Sequence, residues 1–127
     1  MADLLSNETF RLFVSTICVN LFLTLIIEVP LAFALGVRKF RDIETVIYTN
    51  CISNPLVITV FFLMLHFQVA YAIINCAIIA MEILAVLCEG LVYRKHLPRG
   101  KLSPFALSLI LNAASFGFGI VLDLLGL

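Results

Sequence analysis

The chain has 127 residues, of which 63% are hydrophobic and 13% charged, with a formal net charge of zero and a mean hydropathy of +1.17. That composition lies far outside the range of soluble domains, excludes a water-soluble enzyme or nucleic-acid module, and leaves room for one domain at most. The charge balance says nothing about partners until the charges are placed along the chain.

The N-terminus, Met-Ala-Asp-Leu-Leu-Ser-Asn-Glu-Thr, lacks the basic region of a cleavable signal peptide, so the first apolar segment is expected to be retained. That segment covers 13–37 and holds Asn20, Thr24, Glu28 and Pro30. A basic loop with Arg38, Lys39 and Arg41 separates it from a second segment, 43–65, which carries Asn50, Ser53, Asn54 and Pro55. The short turn His66-Phe67-Gln68 leads into a third, 69–93, with Asn75, Glu82 and Glu89. Arg94, Lys95, Arg99 and Lys101 then precede the fourth, 102–125, with Asn112, Ser115, Gly117 and Gly119.

Each segment is long enough to cross a hydrocarbon core of ~30 Å, which takes about 20 helical residues. Four strands cannot close a barrel and would leave backbone groups unpaired in lipid, so each segment must be a helix. The expected fold is therefore an all-α integral membrane domain of four transmembrane helices, 1–127 forming a single unit. Seven of the eight Lys and Arg residues fall in the two basic loops. By the positive-inside rule, loops 38–42 and 94–101 face the cytoplasm and both termini lie outside, in a multi-pass protein of the cell membrane. Topology accounts for these charges, and no nucleic-acid partner is assigned to them. The four cysteines, Cys18, Cys51, Cys76 and Cys88, share no metal-ligand spacing and are expected to be small apolar core residues.

Polar residues inside the segments carry the functional reading. Glu28, Asn50, Glu82 and Asn112 lie ten, nine, twelve and eleven residues from the nearest base of the adjoining loop. At the rise of an α-helix those separations put all four at ~13 to 18 Å depth, near the midplane. A charge there costs about 2.5 to 3.5 kcal/mol, so Glu28 and Glu82 must face the bundle interior. Glu89, five residues from Arg94, is expected to pair with the basic cluster, and His66 and His96 to sit at the two surfaces.

The spacing also reads as a tandem repeat of two helices. Glu28 precedes Gly36 by eight residues and Glu82 precedes Gly90 by eight, while Asn50-x-x-Ser53 is matched by Asn112-x-x-Ser115. Two spans per unit give both halves one orientation, so the relating two-fold axis lies along the membrane normal. Glu28 and Glu82 then approach across the centre, with Asn50 and Asn112 completing a polar ring to which Ser53, Asn54 and Ser115 contribute. Two carboxylates in a dry site cannot both stay ionised without compensation. With no intramembrane Lys or Arg, compensation comes from protonation, from a bound cation, or from a partner subunit. Carboxylate, amide and hydroxyl oxygens suit Na⁺, Mg²⁺ or Ca²⁺, held by Glu28 and Glu82, and Pro30 and Pro55 would free carbonyls at the same depth.

Two functions compete on these residues. One is a small transporter or channel moving a cation or a proton-coupled solute, acting as a homodimer or beside a partner membrane subunit. The other is a non-catalytic accessory or assembly subunit whose Glu residues pair with a partner's bases. An intramembrane enzyme is disfavoured, because no mid-membrane His or second acid stands immediately beside the first.

Overall fold

A computed structural model describes residues 6–98, 100 and 102–127. Arg99 and Lys101, which contribute to the second basic loop, lie outside the described residues. Four helices account for nearly all of the rest: α1 Asn7–Ala34, α2 Phe40–His66, α3 Tyr71–His96 and α4 Pro104–Leu124. All four are long and apolar enough to cross a membrane, which makes a lipid bilayer the natural surroundings of this chain.

Local chemistry explains where the helices start and stop. Ser6 caps α1 by accepting from the Thr9 amide at 3.3 Å, and Ser103 caps α4 by accepting from the Ala106 amide at 3.1 Å, with Pro104 in the first turn. At the far end of α1, Gly36 takes φ +110° and the Val37 amide reaches back to the Ala32 carbonyl at 2.9 Å. That is a Schellman turn, whose left-handed residue suits glycine. The α2–α3 turn uses the same geometry with Gln68 at φ 53°, and the Val69 amide donates to the Met64 carbonyl at 3.1 Å.

The helices form a closed square: α1 packs on α2, α2 on α3, α3 on α4, and α4 returns to α1, while neither diagonal pair touches among the described residues. Outside, the square is oily, with Phe22, Ile26, Ile52, Ile79, Leu87 and Leu109 all more than half exposed or close to it, as lipid-facing positions require. Inside, buried polar side chains are as numerous as buried apolar ones. The apolar core, Ala32, Val46, Tyr93, Leu107 and Leu111, is gathered toward the end where the α1–α2 and α3–α4 loops lie. There Gly90 lets the Phe105 ring lie directly on α3, in the space a Cβ would take.

The cysteines correct one expectation. Cys18, Cys51, Cys76 and Cys88 are all exposed on outer helix faces instead of buried in the core. Beside Cys51 and Cys88 the interior positions are held by Asn50 and Glu89, and a small apolar thiol is well accommodated by lipid.

Candidate functional site

A belt of hydrogen bonds runs once around the square. Asn50 of α2 donates to Glu28 Oε2 of α1 at 2.6 Å. Ser53, three residues on, donates to Glu89 Oε1 of α3 at 2.7 Å. Asn112 of α4 donates to Glu89 Oε2, and Ser115, again three residues on, donates to Glu28 Oε1 at 2.8 Å. Each of the four helix contacts is thus closed by one polar bond at a common level.

The spacing of α2 and α4 makes this possible. Residues three apart on a helix lie on one face but diverge sideways, so each Asn and its Ser address different neighbours. Each amide is fixed by its second hydrogen: Asn50 also donates to the Val46 carbonyl at 3.0 Å, and Asn112 to the Ser108 carbonyl at 2.9 Å. Both N–H bonds of each amide are occupied, and each carboxylate oxygen accepts one neutral donor. Glu28 is 0% exposed, Glu89 1% and Asn50 2%. The carboxylates and amides of the belt lie six to ten residues from the loop ends of the helices, ~9 to 15 Å by helical rise.

Two sequence expectations are corrected here. Glu89 pairs with none of the loop bases among the described residues; it is buried in the belt, opposite Ser53 and Asn112. Glu82, expected to face Glu28 in the ring, is half-buried on α3, seven residues and about two turns from Glu89, and makes no hydrogen bond among the described residues. The remaining predicted residues are found together: Glu28, Asn50, Ser53, Asn112 and Ser115 in the belt, and Asn54 beside it, donating to Thr24 Oγ1 at 3.0 Å. Asn54 Oδ1 is buried with no hydrogen-bond partner. The carbonyls that Pro30 and Pro55 release belong to Ile26 and Cys51, which are exposed on the outer faces and do not line the site.

On the side of the termini and the α2–α3 turn, a cavity of about 360 Å³ opens above the belt. Glu28, Asn50, Ser53, Asn112 and Ser115 form its floor, Glu82 and Asn54 its sides, and Thr16 and Asp123 its far end. Ile58, Phe61, Ile78 and Phe116 supply apolar wall between them, and among the described residues no Lys, Arg or His reaches it. On the other side the core closes directly beneath the belt. Tyr93, which sequence reasoning passed over, belongs to this seal: it is 0% exposed and its hydroxyl has no hydrogen-bond partner. Beyond the seal, a wider space of about 910 Å³ lies among the loops, lined by Arg38, Asp42 and Arg94.

Chemically, the arrangement is an array of oxygen acceptors at the end of a one-sided cavity. It can hold a proton or a positively charged group, and it offers no base to an anion. Comparison with family models, with curated proteins and with solved structures gave no match to this chain.

Proposed function

We propose that the chain is a small membrane transporter or channel that moves a cation or a proton-coupled solute through the belt and the cavity above it. One observation carries the reading: two buried carboxylates are satisfied only by neutral amides and hydroxyls, and one of them, Glu28, floors a cavity that no base lines among the described residues. Intramembrane acids are costly to place and typically mark an ion or proton pathway. Four helix-to-helix hydrogen bonds of ~0.6 kcal/mol each would hardly repay that cost as structure alone.

The proposal includes an internal duplication, with a corrected register. Glu28 and Asn50 are 22 residues apart, Glu89 and Asn112 are 23, and each pair is followed by a Ser three residues beyond the Asn. Each carboxylate takes its amide from its own hairpin and its hydroxyl from the other, which is the exchange expected of two units about an axis along the membrane normal. The proposed orientation keeps loops 38–42 and 94–101 cytoplasmic and the termini outside, so that the cavity opens outward. Since four helices enclose a site but no wide pore, assembly as a homodimer or with a partner subunit belongs to the same reading.

The test is flux into proteoliposomes under Na⁺, Mg²⁺, Ca²⁺ and pH gradients. Glu28→Gln and Glu89→Gln keep shape and remove charge; each is expected to abolish flux while the protein remains folded. A doubly substituted protein as active as the wild type would show that the belt is structural and that the transport reading is wrong.

A further inference from the structure

We propose that the cavity above the belt is a binding site for a linear aliphatic ammonium ion bearing more than one amine, a polyamine by chemical class. The inference rests on the transport reading above and names the substrate it serves.

The cavity's charge, depth, size and unused acceptors each narrow the choice of ligand. Among the described residues its ionisable lining is acidic throughout: Glu28, Glu82 and Asp123, with no base. These acids do not converge, and among the described residues no group of three His, Cys, Asp or Glu side chains is arranged to hold a metal ion. They stand at two levels instead. Glu28 is on the floor, whereas Glu82 lies seven residues from Glu89 along α3, ~10 Å above the belt, and Asp123 lies eight residues from Ser115 along α4, ~12 Å above it. A volume of about 360 Å³ falls in the range of sites for small organic molecules, roughly 300 to 1,000 Å³, and far exceeds the share of one water or one bare ion.

At the floor and on Glu82 the unused hydrogen-bonding capacity is acceptor, whereas higher on the wall Asn20 and one N–H of Asn54 remain as donors. Asn54 Oδ1 is buried without a donor, Glu82 makes no hydrogen bond, and each oxygen of Glu28 has taken only one. The nearby donors, Asn50, Ser53, Asn112 and Ser115, are already engaged. A ligand that completes the acceptors at the floor and on Glu82 must bring N–H donors and positive charge, which primary and secondary ammonium groups do and quaternary ammonium does not. Between the two acidic levels Ile58, Ala85 and Phe116 supply apolar wall beside the polar pair Asn54 and Thr24, and Phe61 and Ile78 continue the apolar wall at and beyond the level of Glu82. Methylenes match the apolar side of that stretch, and a chain carrying an amine at each end places one charge at the floor and the other beside Glu82.

The measurement is calorimetric binding of a series of α,ω-diaminoalkanes, from diaminobutane to diaminodecane, to the purified full chain in lipid nanodiscs, with monoalkylammonium ions of matching length as the comparison. Affinity is expected to peak at one chain length, with the diamine roughly tenfold tighter than its monoamine, as a second charge-assisted contact implies. Glu82→Gln, which removes no hydrogen bond, should abolish both the peak and the advantage; Asp123→Asn at the exposed mouth gives a second readout should the first variant fail to fold. Diamines that do not bind, or that bind no tighter than monoamines, overturn the inference. If diamines fail while Na⁺, Mg²⁺ or Ca²⁺ flux is intact in the wild type and lost in Glu28→Gln, the transport reading stands and only the polyamine assignment falls. If neither binding nor flux is seen, both fall.

Discussion

Asn50 and Asn112 do more than tie helices together, because each amide is pinned by its own helix and so presents a fixed donor to a buried carboxylate. Removing a buried partner of this kind leaves the acid unsatisfied, at about 1 to 3 kcal/mol. Asn112→Ala is therefore expected to lower stability by roughly that amount, read from thermal unfolding in detergent. Tyr93 behaves in the opposite way. Its hydroxyl is buried without a partner, so Tyr93→Phe keeps the ring that seals the core and discards only an unsatisfied group. The same unfolding measurement should show the Phe variant as stable as the wild type or more so; a loss comparable with that of Asn112→Ala would mean the hydroxyl has a partner.

At the scale of the elements, helix ends are set by short-range rules. Gln68 holds a left-handed conformation at φ 53° in the α2–α3 turn, where Gly36 and Gly126 serve the equivalent turns after α1 and α4. A non-glycine residue there is disfavoured by ~1 kcal/mol. Gln68→Gly should raise the melting temperature without affecting flux, and an unchanged or lower value would show that the Gln side chain stabilises the turn. The four helices were legible in the sequence, since length and apolarity alone dictate them in lipid. So was the Asn-x-x-Ser pattern, because its repetition is visible without knowing what it contacts. The choice between Glu82 and Glu89 was not. They lie two turns apart on one face of α3, and counting residues from the basic loop gives depth along one helix only, whereas the belt is set by how far α3 and α4 are displaced against each other. The separation of Glu28 from Asn50, repeated between Glu89 and Asn112, holds that displacement, and it is the signal that singles out Glu89. Nor does apolarity tell a lipid-facing cysteine from a core one, as both environments accept it.

For the molecule as a whole, the side of each loop is the proposal most open to direct measurement. In a cysteine-free background, single cysteines at 38–42 should react with a membrane-impermeant maleimide from the cytoplasmic side, and cysteines at 66–69 only from the outside. Labelling of both regions from the same side would break the four-span topology. The native cysteines offer a control within the same experiment, because their position on outer helix faces predicts reaction with lipid-soluble thiol reagents in preference to charged ones.

The one-sidedness of the interior also has an electrical meaning. Between the surface on the side of the termini and Glu28 there is a polar cavity; between Glu28 and the space among the loops there is packed side chain, with Ala32, Val46 and Tyr93 all at 0% exposure. A transmembrane voltage does not fall evenly over such a profile. It concentrates in the insulating section between the belt and the loop-side space that reaches Tyr93 and Leu107, and leaves the cavity nearly at the potential of the solution on the side of the termini. On the proposed transport reading, a positive charge settling beside Glu28 has traversed little of the field, and nearly all of the work available, about 2.3 kcal/mol per elementary charge per 100 mV, is done in the step that would carry it past Tyr93. Voltage would set the speed of that one passage and leave the occupancy of the cavity almost untouched.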